Sequence, residues 1–166
     1  RVYPDPVLRK ETEPVVVFDD SLKDLLAEMI RLMNMHDGVG LAAPQVGVSS
    51  RLAVVFFEGK LHVLANPVLL SSEGEQVGEE GCLSFPGIFG NVNRPTKITI
   101  RHRDIDGGEH ETTVEGFLAR AFLHEMDHLD GRLLIDNFSP MKRAMARKKL
   151  QRSKDGEDAD GGSSRR

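Results

Sequence analysis

Tryptophan is missing from this chain, and tyrosine occurs once, at Tyr3. A protein this poor in flat aromatic rings has no stacking platform for nucleic acid bases. The net charge of -4 gives the surface as a whole nothing to offer a phosphate backbone, so DNA is not expected as a partner. Cysteine also occurs once, at Cys82, which rules out an intrachain disulfide and suits a reducing compartment. No apolar run approaches the roughly 20 residues of a membrane-spanning helix. The chain opens on Arg1 rather than Met and has no signal-peptide pattern; we read this as a trimmed or processed start, which leaves an N-terminal targeting segment open.

What is present is an ordinary globular composition. A chain of about 150 residues buries roughly 70% of its unfolded surface, enough for one real core. We expect a single domain over residues 1–152. From Ser153 onward Gly, Ser and charged residues dominate, and a disordered polar tail is expected over 153–166.

Leu22, Leu25, Leu26, Met29 and Met33 recur at helical spacing, so a helix is expected from Asp19 to Asp37. Ser21 with Asp24 resembles a capping box, and Gly38 is a natural stop. Pro44 should push Ala43 toward an extended conformation. Strands are expected at Leu52–Phe57, Leu61–Ala65 and Lys97–Arg103, with Gly107-Gly108 turning the last into a short partner strand. A second helix is expected over Thr113–Asp130, started by a Thr112/Glu115 capping box and stopped by Gly131. Val114, Phe117, Ala121, His124 and His128 would then share one stripe. Ser139-Pro140 opens a third helix as N-cap and first residue.

The segment His124-Glu125-Met126-Asp127-His128 carries the chemistry. Residues at i and i+4 of a helix lie on one face, so both imidazoles can bind one ion while Glu125 reaches a water on it. A bare match also occurs on ordinary charged helix faces, but here the histidines share the apolar stripe, where an unpaired imidazole would be costly. The third ligand has to come from upstream. No histidine follows His128, no glutamate stands between residues 129 and 156, and Leu134 occupies the place of a metzincin's third histidine. Cys82 is the only thiol. A lone cysteine is commonly a buried structural thiol, but its Glu79-Glu80-Gly81 context and an extended backbone make it the candidate ligand.

Three segments resemble the motifs of one family, the peptide deformylases: Gly38-Val39-Gly40-Leu41-Ala42-Ala43-Pro44-Gln45, Glu80-Gly81-Cys82-Leu83-Ser84 and His124-Glu125-Met126-Asp127-His128. The flanking chain is similar too, from Tyr3-Pro4-Asp5-Pro6 to Ile135-Asp136 and Ser139-Pro140. The resemblance implies an α+β fold: antiparallel or mixed β-sheets packed around a central metal-binding helix, with an N-terminal helix and a C-terminal helix. It implies one divalent metal ion held by Cys82, His124 and His128. It also implies hydrolysis of the formyl group from the N-terminal methionine of new polypeptides, with release of formate.

In that reading Glu125 takes a proton from the attacking water and delivers it to the leaving amine. The side-chain amide of Gln45 and the backbone N–H of Leu83 donate to the developing negative oxygen. Gly38, Val39 and Gly40 offer backbone to an extended peptide, and Glu80 and Gly81 are placed with them on the substrate side. Glu80 also belongs, with Arg94 and Asp127, to a charge network around the site. Phe117 and Ala121 are candidates for the methionine pocket. Phe89 stands where some family members have an arginine that holds the peptide. The remaining histidines, His36, His62, His102 and His110, are read as surface or strand-edge residues.

Thiolate and imidazole ligands suit zinc or ferrous iron. The resemblance implies Fe²⁺ as the physiological metal, with Zn²⁺, Ni²⁺ or Co²⁺ able to take the site. N-formylmethionyl nascent peptides are the implied partners, without any membrane. The basic run Lys142, Arg143, Arg147, Lys148, Lys149 and Arg152 reads first as a solvated helix face. The resemblance adds the ribosome as a partner for it, and the bacterial cytoplasm, or an organelle after processing, as the location. Two alternatives stand beside this reading. One is a zinc endopeptidase using the same helix motif, and the other a non-catalytic, metal-stabilised interaction module.

Overall fold

Seven strands and three helices follow one another in the computed structural model, which describes residues 1–159. Helix α1 (Asp20–Met35) comes first, then β1 (Gly40–Ala42), β2 (Leu52–Phe57), β3 (Lys60–Glu73), β4 (Gln76–Cys82), β5 (Phe85–Arg94), β6 (Lys97–Arg103) and β7 (Glu109–Glu115). Helices α2 (Phe117–Leu129) and α3 (Pro140–Ala159) complete the chain. A five-stranded antiparallel sheet has the order β1-β2-β3-β6-β7, and β4 and β5 form a separate antiparallel ribbon. The expected α+β class, with sheets around the metal-binding helix, is what the structure shows.

The large sheet lies between α1 and α2, and β2 explains how. Leu52 and Val54 pack with Leu22, Leu26, Met29 and Met33 of α1. Ala53 and Val55 point the other way, into the cluster built on Phe122, Met126 and Leu129 of α2. A strand buried on both faces reads as a continuous apolar run rather than an alternating one. A third cluster joins Phe85, Ile88 and Val92 of β5 to Leu133, Ile135, Phe138 and Ala146.

Several local expectations are corrected. Helix α1 is capped by Asp19, whose carboxylate accepts from Leu22 N at 3.2 Å; Ser21 instead donates to Asp19. The extended residue before Pro44 is Ala42, and Ala43 already opens a 3-10 turn over Ala43–Val46. Strand β3 runs past Ala65 because Asn66, at φ 50°, and Pro67 are absorbed in a register shift between Ala65 and Val68. The second helix begins at Phe117, not Thr113. Thr112, Thr113 and Val114 pair with Ile100, Thr99 and Ile98 as part of β7, where β-branched side chains fit a pleated surface. The hairpin partner of β6 is thus a full strand. Strand β5 was not expected from the sequence, because its glycines dilute the strand signal. His102, read as a surface or edge residue, is buried between His110 and Thr112.

Ser139 does open α3, its hydroxyl accepting from Lys142 N. The helix continues to Ala159, so residues 153–159 of the expected disordered tail are helical. The rest of that tail lies outside the described residues. No helix among the described residues is long and apolar enough to cross a membrane.

Candidate metal centre

Strand β4 and helix α2 bring the ligands together. Glu80 and Cys82 alternate on β4 and so share a face; His124 and His128 stand one turn apart on α2. The donor atoms of Cys82, His124 and His128 all lie within 4.8 Å of one another, and Cys82 Sγ is 3.3 Å from His128 Nε2. His124 Nδ1 donates to Glu80 Oε1 at 3.0 Å, which leaves Nε2 to face the thiol. Burial works against ionisation of Cys82, but the two imidazoles override it and hold the thiol well below its ordinary value. One thiolate and two imidazoles in contact range suit a divalent ion of the zinc or ferrous type, and the residues present fit such a group.

Glu80 is buried and fully engaged. Its Oε2 accepts from Arg94 Nε at 3.0 Å and Arg120 Nη1 at 2.7 Å, and its Oε1 from Arg94 Nη2 at 2.9 Å as well as from His124. Burial alone would raise its pKa, but the hydrogen bonds from His124 and Arg94 and the Arg94 charge bring it down to about 2. Glu80 therefore sits behind His124 as part of the charge network with Arg94 and Asp127. Arg94 Nη1 reaches Asp127 at 2.7 Å. Glu125, next along α2, is the opposite case. Its Oε1 is buried without any hydrogen-bond partner, and burial pushes its pKa up to about 7 against the pull of His124 and His128.

Gln45, also buried, is oriented by its neighbours. Ala42 N donates to Oε1 at 3.0 Å, so Nε2 points the other way, to Ser84 Oγ at 3.2 Å and Cys82 Sγ at 3.6 Å. Gly40 leaves room for Glu125: a Cβ there would lie 2.6 Å from Glu125 Oε2. Gly81 similarly lies under the Phe89 ring, which a Cβ would meet at 2.5 Å.

Gln45, Glu80, Cys82, His124 and Glu125 line one open cleft of ≈ 1480 Å³, and His128 lies buried behind Cys82. Gly38, Val39 and Gly40 form one rim, and Gly81, Leu83 and Phe89 the other. Phe117 and Ala121 line the wall along α2, with the Phe117 ring tilted against Phe57 at 4.9 Å. The cleft brings Gln45, Leu83, Cys82, His124 and Glu125 together, and Glu80, expected on the substrate side, is instead spent on Arg94, Arg120 and His124. Two were missed: Ser84, which receives the Gln45 amide, and Arg120, which holds Glu80. Arg120 had a signal, since it stands four residues before His124 on the same helix face.

The polypeptide deformylase family model matches residues 1–144. The chain belongs to the peptide deformylase family. Among curated deformylases it is 48% identical over 151 residues to the Thermotoga petrophila protein, covering 90% of this chain and 92% of that one. Among solved deformylases, the Legionella pneumophila structure superposes with a TM-score of 0.90 at 46% identity, covering 95% of both chains. A Plasmodium falciparum deformylase in complex with an inhibitor superposes with a TM-score of 0.84 at 39% identity, covering 91% of this chain and 96% of that one.

Proposed function

We propose that the cleft is where the formyl group is hydrolysed from the N-terminal methionine of a new polypeptide held as an extended strand. Deformylation is the activity that the family's name denotes, and it makes this chain a hydrolase. The residue roles follow the family resemblance, supported for Glu125 and Gln45 by their geometry here. Cys82, His124 and His128 would hold a divalent ion, which when bound would supply Lewis-acid charge and lower the pKa of a water toward neutrality. Glu125 takes the water's proton as oxygen adds to the formyl carbon. It returns that proton to the amine as the C–N bond breaks and formate leaves. Gln45 Nε2 and the Leu83 backbone N–H stabilise the oxygen that becomes negative between those steps. Strand β1 is an edge of the large sheet, so the Gly38–Gly40 segment leading into it offers a peptide the backbone groups that remain free once Gly38 N bonds Met33 O and Val39 O accepts from Phe56 N, with Gly81 opposite. Phe117 and Ala121 wall the methionine pocket.

The observation that carries this reading is the unpartnered Glu125 oxygen. Glu80, equally buried, has every oxygen paired, whereas Glu125 is left a free acceptor beside the ligands. The test is formate release from a formyl-methionyl peptide, using protein prepared anaerobically with ferrous iron. Glu125→Gln should lower kcat/KM by about 10²–10⁴-fold with its metal content unchanged. Internal cleavage of the peptide without formate would favour an endopeptidase. Fe²⁺ is the metal we assign in the cell, checked by metal analysis of anaerobically isolated protein.

We take residues 1–152 as the catalytic domain, and formate release by a chain cut after Arg152 would support this. The basic helix α3 is our candidate ribosome contact. Lys149 and Arg143 are turned inward to backbone carbonyls at Gly87 and Ile135, and Arg147 lines the cleft. Lys142 lies over the Phe138 ring at 4.9 Å, which leaves Lys148 and Arg152 for phosphate. Co-sedimentation with ribosomes should then fall steeply with salt, and none at low salt would count against it. The bacterial cytoplasm is the location we propose, checked by fractionation.

A further inference from the structure

The site is assembled from two pieces that meet through side chains: the β4–β5 ribbon brings Cys82, and α2 brings both histidines. The polar joint between them centres on one carboxylate. Glu80 Oε1 takes His124 Nδ1, and Glu80 Oε2 takes Arg120 Nη1. Arg120 and His124 stand at i and i+4 of α2, so successive turns of the helix grip the two oxygens of a single side chain on the ribbon. The Arg120 Nη1 group also donates to the carbonyls of Gly78 at 3.2 Å and Val92 at 2.9 Å, a pair of residues facing each other across β4 and β5.

Arg94 cannot do this alone. It is shared between Glu80 and Asp127, one positive charge facing two negative ones in a buried cluster. Arg120 brings the second positive charge and balances the cluster. Gly78 is shaped for it. A Cβ at Gly78 would lie 3.0 Å from both the central carbon and Nη2 of the guanidinium. The Arg120 side chain is buried, with 6% exposed.

We infer that Arg120 is a positioning residue: it fixes Glu80 against His124 and thereby sets the spacing between Cys82 on the ribbon and His124 on the helix. None of its hydrogen bonds goes to Cys82, His124 or His128. Its effect passes through Glu80 to the orientation of one imidazole, the kind of outer contact whose loss typically costs 10–100-fold in metal affinity. All three bonds leave from Nη1, so what Arg120 supplies is a positive donor at one buried point, carried on a longer and stiffer side chain than lysine's.

The inference rests on Cys82, His124 and His128 holding a metal, but not on the reaction. Its test therefore uses no substrate. Zn²⁺ is loaded onto the full chain, and its release to a chromogenic chelator is timed for the parent, Arg120→Met, Arg120→Lys and Gly78→Ala. NMR of the Zn²⁺ form follows the His124 Nδ1–H signal. We expect release about 10–100-fold faster in Arg120→Met, several-fold faster in Arg120→Lys and Gly78→Ala, and a weakened or shifted His124 Nδ1–H signal in all three. Arg9→Met removes a surface ion pair with Asp136 and serves as the control for general loosening. It should release Zn²⁺ at the parent rate. Release within twofold of the parent in Gly78→Ala and Arg120→Lys, with the His124 signal unmoved, would overturn the inference even if Arg120→Met does not fold. Equal acceleration in Arg9→Met would also overturn it. A failure of deformylation alone would leave these rates untouched, so the two readings fail separately.

Discussion

Glu80 and Glu125 are both buried carboxylates, and their surroundings drive them in opposite directions. Glu80, paired with two guanidiniums and an imidazole, is held near 2; Glu125, without a donor, is pushed up to about 7. Two titratable groups whose environments separate them in this way mark a division of labour between holding structure and moving a proton. Gln45 illustrates the same economy with a neutral group. Its oxygen is committed to Ala42 N, so its nitrogen is the end left facing the thiol. Gln45→Ala should lower kcat by about 10²–10³-fold, the usual loss of one donor to a developing oxyanion. Metal content should stay unchanged. A steady-state assay alongside metal analysis checks this, and an unchanged kcat would remove Gln45 from the reaction.

At the scale of elements, the junction of β7 and α2 decides where the histidines point. Gly116, at φ 65° and ψ -133°, makes the turn from strand to helix in one residue. That backbone is close to glycine-only, so Gly116→Ala should cost about 1–3 kcal/mol. Thermal unfolding would show it as a lower Tm, and an unchanged Tm would mean the junction relaxes without strain. The β6–β7 pair carries a second consequence. Burial, with help from nearby His110, depresses His102, and burial depresses His62 as well. As pH falls below about 6.5, the unfolded chain therefore binds protons before the folded one does. The contribution is complete above that pH and is lost as pH drops through the depressed folded values. Glu125, with its raised pKa, works the other way as pH falls, so the test is a difference: in denaturant unfolding His102→Gln should lose less stability than the parent between pH 7 and 5. A slope unchanged in the variant would clear His102.

For the whole molecule, the metal is expected to be a joint as well as a reagent. Its ligands come from the β4–β5 ribbon and from α2, which belong to different layers of the fold. A ligand that binds only the folded chain adds about 2.7 kcal/mol of stability at 100 times its Kd. Removing the metal by chelation should therefore lower Tm by roughly 5–11 °C for a domain of this size. Calorimetry with and without chelator measures this, and equal Tm values would show that the two layers hold each other without it.

The candidate metal ligands and Glu125 were legible in the sequence because helical spacing is a local rule. His124 and His128 lie on one face of any helix that contains them, and elimination pointed to the lone thiol. The family motifs supplied Gln45 and the glycine rim, and apolar periodicity supplied α1 and β2. The start of α2 was misplaced because Thr112 and Glu115 mimic a helix cap, and only pairing with β6 makes their segment a strand. Strand β5 was invisible because its glycines have no intrinsic strand preference; their place is decided by pairing with β4. Arg120 lay in plain view, but its role depends on Glu80, forty residues earlier. The sequence by itself determined which side chains could bind a metal and move a proton. The tertiary structure alone decided which of the two buried glutamates is clamped and which is left free, because that depends on donors delivered from other elements across the fold.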